Sequence, residues 1–335
     1  MGFLLAASLV ASAATAAAPP PLPTAVSAHV KDGHFDPGDF NWLRGAFAGA
    51  STDQINEWKM ISSYADHCSG AVPDSVRAEM ASLGEHPPAS YWNHYVEDVC
   101  GELAIPRHTV DGFKNWVDYR QALDTALPYY KTFVFAVSRA QAAAPSGQGA
   151  LRDQLQAIVV PDQMLRSALS WGEGDAGGAP ALGPKAKNLL TMLLWRPIRD
   201  ADHRNTAWLK GVISKDGWPT ISKVGTAAAN NAWLLAQHAD DDPVFQLRVL
   251  RLIDLLAARG EVDRKNYAML YDRVMLPLTG KQRFGTQFTC EANKWHPLPL
   301  ENEAALEGLR KDAGLDSIAA YTKELITAYG EHCQN

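Results

Sequence analysis

The feature that most limits how this chain can fold is a turn of three consecutive aspartates, Asp240-Asp241-Asp242, set between two stretches of helical period. Upstream, Ser222 caps a run reaching residue 239, in which Ala227, Asn231, Leu234 and His238 recur three or four apart and so share one face. Downstream, Asp242 and Pro243 stand at the N-cap and first position of a helix that stops at Gly260. A connection this short requires the two helices to pack antiparallel. Gln246, on a stripe with Leu250, Ile253 and Ala257, is thereby carried to the His238 end, with Gln237 beside it.

A third helix follows, capped by Asp263 and running to about residue 278. Its apolar stripe is Tyr267, Leu270, Val274 and Leu278, flanked by Asp272 and Arg273. The run Gln282-Arg283-Phe284-Gly285-Thr286-Gln287 comes next, and its glycine permits a close backbone approach denied to other residues. Amides and ionisable groups therefore recur in residues 217–287 where a core pattern calls for apolar ones. Buried groups of this kind need partners and are costly to bury without them. The stretch reads as a site or as a polar network that fixes a helical core.

The remainder is helical too. Residues 36–144 are rich in tryptophan: Phe40, Leu43 and Phe47 lie on a short amphipathic segment, Ser51 with Gln54 forms a capping box for a helix to Cys68, and Pro73-Asp74 opens another. Ser90 caps a helix through Cys100, and residues 109–144 carry one or two more, interrupted near Pro128. Trp42, Trp58, Trp92 and Trp116 read as core. The flexible, helix-ending composition of residues 142–149 places a domain boundary there, between a unit of residues 24–144 and one of residues 151–335. A helix resumes at Leu151 and carries Asp162, Gln163 and Arg166, kinked or restarted at Pro161.

Residues 172–184 are glycine-rich and aperiodic, which predicts a mobile loop that would serve as a lid. An apolar helix over residues 185–195 precedes one capped by Asn205 and stopped by Gly217. Alternation around Glu291-Ala292-Asn293 predicts a small β-hairpin within residues 284–298, before two final helices. The fold class that results is all-α with one minor β-hairpin.

The first 23 residues are apolar and alanine-rich, too short to span a bilayer, with small residues of the A-x-A type at Ala14-Thr15-Ala16. They read as a secretory leader of about residues 1–18, giving an exported, periplasmic or secreted protein. Four cysteines, Cys68, Cys100, Cys290 and Cys333, all follow the leader, and an even count in an exported chain favours disulfides. Three connectivities exist. Cys68 with Cys100 and Cys290 with Cys333 are preferred because each pair closes a local segment. No C-x-x-C spacing supports a structural zinc, and no metal or other cofactor is expected. A net charge of -6 without lysine or arginine clusters argues against nucleic acid as a partner.

Two kinds of function fit the polar stretch. In an enzyme, His238 is the general acid or base, oriented by Asp240 or Asp272. Asp162, Arg166, Gln237, Gln246, Arg273, Gln282, Thr286 and Gln287 then hold the substrate. No serine elbow, phosphate loop or H-E-x-x-H run is present, so hydrolysis by activated water is favoured over a covalent route. In a binding protein the same groups capture a glycan, peptide or small molecule. Against both stands a purely structural network. The ordered motifs DQxxR at Asp162, GWP at Gly217, QHAD at Gln237, LxDR at Leu270 and QxFGTQ at Gln282 resemble those of a widespread bacterial domain family of uncharacterised function, over roughly residues 151–287. The resemblance implies a shared site and no particular chemistry.

Overall fold

The computed structural model describes residues 22–31, 33–68, 73–88, 91, 98–143, 149–173 and 180–329. In chain order the helices are α1 (Thr24–Ser27), α2 (Thr52–Cys68), α3 (Asp74–Ser82), α4 (Asp98–Thr109), α5 (Trp116–Ala143) and α6 (Leu151–Glu173). They continue as α7 (Pro184–Asp216), α8 (Ile221–Val224), α9 (Thr226–Gln237), α10 (Pro243–Ala258), α11 (Arg264–Thr279), α12 (Leu306–Asp312) and α13 (Ile318–Tyr329). Among the described residues there are also short 3-10 helices at Asn41–Ala46, Val110–Gly112 and Glu303–Ala305 and two antiparallel hairpins: β1 (Val30–Lys31) with β2 (His34–Phe35), and β3 (Phe288–Glu291) with β4 (Lys294–Pro297). The fold is all-α with small β-hairpins. The first hairpin, two residues to a strand, is too short to leave a period in the sequence.

Local signals account for many of the ends. Gln54 N–H donates to Ser51 Oγ at 3.3 Å while Ser51 N–H donates to Gln54 Oε1 at 3.0 Å, which is the reciprocal capping box. Asp242 accepts from Phe245 N–H at 2.9 Å, and Asp263 accepts from Lys265 N–H at 2.9 Å. Ala292 and Asn293 both take positive φ, 50° and 61°, the two-residue turn that matches strand twist.

Other boundaries differ from the sequence pattern. Pro128, Pro161 and Pro197 lie inside α5, α6 and α7 without ending them. A mid-helix proline costs about 3 kcal/mol, and these three long helices offset that by packing on one another along apolar residues such as Leu123, Leu165, Leu189 and Leu194. The two helices expected before Gly217 are thus one, α7, and the polar run between them is helical. Conversely, Gly225 at φ 81° divides the helix expected from Ser222 into α8 and α9.

Two apolar clusters form the interior. One joins α9, α10 and α11 to α3 and Trp218; the other joins Phe35, Trp42, Leu43, Ile61, Leu103 and Tyr119 to the first half of α7. α6 supplies Leu155 to the first and Leu165 to the second, and α7 supplies Leu209 and Leu190 likewise. Trp42 is buried and stacks on Trp58, and Trp116 stacks on Tyr119. Trp92, Ser90, the expected leader, residues 144–148 and the centre of the proposed lid, residues 174–179, lie outside the described residues. Cys100 and Cys290 are disulfide-bonded; the side chain of Cys68, and Cys333, lie outside the described residues. No described helix is long and apolar enough to cross a membrane.

Candidate functional site

The turn from α9 to α10 is where four long helices are tied together, because its polar side chains reach α6, α7, α10 and α11. His238 points to α6, where its Nδ1 lies 3.1 Å from Asp162 Oδ2 and 2.9 Å from Arg166 Nε. Asp240 points to α11: Arg273 Nε donates to Oδ1 at 2.7 Å and its NH2 donates to Oδ2, a bidentate clamp. Asp241 points to α7, 2.7 Å from His203 Nε2 and 3.4 Å from Arg199 NH2. Asp242 caps α10 and pairs with Lys210 of α7.

Gln246, one turn into α10, holds this arrangement from beneath. Its Nε2 donates to Asp240 Oδ1 at 3.0 Å and to the carbonyls of Ala236 and Gln237 at 3.2 and 3.1 Å. Those two carbonyls are among the last of α9, beyond the reach of its i→i+4 ladder, and Ala236 O also accepts from Ala239 N–H at 3.2 Å. The amide drawn inward on an otherwise apolar stripe is therefore a C-terminal cap for the preceding helix.

Around His238 the buried carboxylate of Asp162, 2% exposed, accepts from Gln163 Nε2 at 2.8 Å, and Arg166 NH2 donates to Asp202 Oδ1 at 2.5 Å. Nδ1 cannot both donate to Asp162 and accept from Arg166. A carboxylate is a stronger acceptor than a neutral ring nitrogen, and Arg166 has Asp202, and Asp162 Oδ1 at 3.6 Å, as alternative acceptors. The proton therefore belongs on Nδ1, shared with Asp162. Nε2 makes no hydrogen bond to any described residue and is not sealed from solvent.

Burial depresses the His238 pKa below 6.5, and Arg166 adds to this against the pull of Asp162, so the ring is neutral near pH 7. Burial works the other way on Asp162, but its hydrogen bond and attraction to His238, with Arg166 and Gln163, hold that carboxyl below its ordinary value. Asp202 is pushed up to about 7, first by burial and then by Asp162 and Asp240, with Arg166 opposing. The ligand-type atoms of Asp162, Asp202 and His238 lie within 4.8 Å of one another, as a metal would require. The cation among them here is the Arg166 guanidinium. Asp202 also lines a cavity of about 220 Å³ with His203, Thr206, Lys210 and Asp241, which shares Lys210 and Asp242 with a larger one of about 570 Å³.

The expected residues thus divide. Asp162, Arg166, His238, Asp240, Gln246 and Arg273 meet at the turn, and Gln237 is buried beside it with no donor to its Oε1 among the described residues. Asp272, Gln282, Thr286 and Gln287 form a second assembly. Asp272, fully buried, accepts from Arg283 N–H at 2.8 Å, Phe284 N–H at 3.0 Å, Thr286 N–H at 2.9 Å and Thr286 Oγ–H at 3.0 Å. Gln282 Nε2 donates to the carbonyls of Gln287 and Leu298, its Oε1 accepts from Gln287 N–H at 2.8 Å, and Gln287 Nε2 donates to Thr286 Oγ. Successive helical residues point about 100° apart, so Asp272 faces this loop while Arg273 faces Asp240. Burial raises the Asp272 pKa, against the backbone amides that lower it.

Sequence reasoning missed Asp202, with Arg199 and His203 beside it. Their spacing of three and four inside the polar run 196–205 was the available signal, once that run is taken as helix rather than as a break.

Residues 151–334 match a family described as a family of unknown function (DUF6624), so the likeness extends past Gln287 through the C-terminal helices and starts at the first residue of α6. No curated protein and no solved structure matches the chain.

Proposed function

The chain belongs to this family of unknown function, which leaves its chemistry to be read from geometry, and we propose that it is a hydrolase-like enzyme with His238 as general base and acid. The observation that carries this reading is the asymmetry of one ring: Nδ1 is pinned from inside by a buried carboxylate, while Nε2 is left for a ligand. In this scheme Nε2 takes a proton from a water as its oxygen attacks an electrophilic carbon of the substrate. The imidazolium, stabilised by Asp162, then returns the proton to the leaving group. Arg166 and Asp202 set the charge around the ring, and Asp202, shared with the adjoining cavity, is where the substrate meets the centre. Asp240, Gln246 and Arg273 act as positioning residues for the turn.

Two further proposals follow from the sequence. The chain is exported after loss of its leader, and its disulfides pair Cys68 with Cys100 and Cys290 with Cys333. Intact mass and peptide mapping check both; an uncleaved N-terminus or crossed connectivity contradicts them.

The test of the catalytic reading uses His238→Gln, which keeps the size and an amide toward Asp162. Ester, amide and glycoside panels are run with wild type and variant, alongside thermal melts. Loss of turnover by at least roughly 100-fold with little change in melting temperature supports the proposal. No wild-type turnover on any panel, or turnover that survives the substitution, opposes it and favours capture or a structural network.

A further inference from the structure

A separate cavity of about 240 Å³ lies between the loop after β2, α4, α5 and α7, on ground the His238 centre does not use. Its walls are apolar where Phe40, Ile105, Leu127, Met192 and Leu193 meet, and its charged lining consists of Lys131, Arg196, Arg199 and Glu102. The single carboxylate is already engaged: Phe35 N–H donates to Glu102 Oε2 at 2.5 Å and His34 Nδ1 lies 3.0 Å from Oε1. Two of the three cations are held loosely. Among the described residues Lys131 makes no ion pair or hydrogen bond, and Arg196 makes one long ion pair, 3.9 Å, to Glu102, with Asp36 and Tyr130 near enough to feel its charge. Arg199 is directed away, 3.4 Å from Asp241, and passes Gly101 so closely that a Cβ there would stand 2.0 Å from its NH1.

Phe40 supplies an independent sign that this wall is built to a purpose. It is 5% exposed and sits at φ 64°, a left-handed backbone that is uncommon for a bulky residue and gathers at ligand clamps. The lining carries three cations to one carboxylate, with Asp36 and Asp200 close outside it, and a cavity with more cations than carboxylates above apolar walls favours an anion with an apolar body over a neutral ligand or a cation. Its volume is below the roughly 300 Å³ at which drug-sized sites begin, so the ligand is small.

We propose that this cavity is a binding site for a small amphiphilic carboxylate, a short acyl or aromatic acid. Its body packs on Phe40, Leu127 and Leu193 and its carboxylate meets Arg196 and Lys131. The site is independent of the reading given to His238.

Octanoate, octanol and octylammonium are titrated into the full chain by calorimetry, with thermal melts in parallel. The expected result is saturable 1:1 binding of octanoate with a Kd of about 1 mM or tighter, and a melting temperature that rises with its concentration. Octanol should bind at least about tenfold more weakly and octylammonium not at all. Arg196→Gln with Lys131→Gln should weaken octanoate at least about tenfold, and Leu193→Trp, which fills the cavity, should abolish binding. Absence of saturable octanoate binding, equal affinity for octanol or octylammonium, or unchanged affinity in the double variant would overturn the assignment. Should the variants fold poorly, the comparison of the three ligands on the wild-type chain decides it alone.

Discussion

Replacing Asp272 by alanine tests whether this buried carboxylate is the anchor of the 282–287 loop. In the folded chain it satisfies three backbone N–H groups, those of Arg283, Phe284 and Thr286, and the Thr286 hydroxyl. Each buried donor left without a partner costs roughly 1–3 kcal/mol. Three amides and a hydroxyl therefore set an upper limit of about 12 kcal/mol. Two effects reduce it: the loop relaxes, and the variant no longer buries a carboxylate whose raised pKa records its desolvation.

A net loss of about 3–5 kcal/mol is expected, a large part of the 5–15 kcal/mol that stabilises an ordinary domain. Guanidinium unfolding monitored by far-UV circular dichroism reads it as a lower midpoint with an unchanged slope. Thr286→Val, which removes only the hydroxyl bond, should cost about 1 kcal/mol, and the double variant should cost less than the sum of the two. A loss below about 1 kcal/mol for Asp272→Ala would refute the reasoning, because the loop would then be held by something else.

Gly285→Ala should cost about 1–2 kcal/mol in the same assay, since Gly285 sits at φ 64° and an added Cβ would lie 3.1 Å from Ile318 Cδ1; a neutral effect would show that the loop tolerates another backbone form. The Asp202 carboxyl, raised from 3.8 to about 7 in the folded chain, binds a proton in that window that the unfolded chain does not. Its contribution to stability is therefore present at the acid end and lost as pH rises through about 7. Asp202→Asn removes this dependence, so its melting temperature relative to wild type should climb between about pH 5 and pH 8, and a constant offset would contradict the shift.

How far the sequence could be read followed the range of each interaction. The caps at Ser51, Asp242 and Asp263 were legible because each bonds within three residues. The approach of Gln246 to the end of α9 and to Asp240 was legible because the turn between the two helices leaves one packing. Asp272 was misplaced for a different reason: it adjoins Arg273, and sequence alone does not say which of two neighbouring charged residues faces the core turn and which faces the loop. Gln282 looked like a ligand-binding amide, yet its partners are the backbone of Gln287 and Leu298 on either side of a hairpin, and it closes that loop. Asp202 was passed over because its partner Arg166 lies 36 residues away, and because proline and a dense run of charges disguised the middle of α7 as a break.

The proton on the His238 ring decides whether Nε2 is free to act as the base. Nitrogen-15 NMR of histidine-labelled protein, titrated with pH, reports both its pKa and which nitrogen holds the proton. The expected result is a pKa below the ordinary 6.5, a neutral ring protonated on Nδ1, and a further fall in pKa in Asp162→Asn. A pKa at or above 6.5, or a neutral ring protonated on Nε2 with Nδ1 accepting from Arg166, would contradict it.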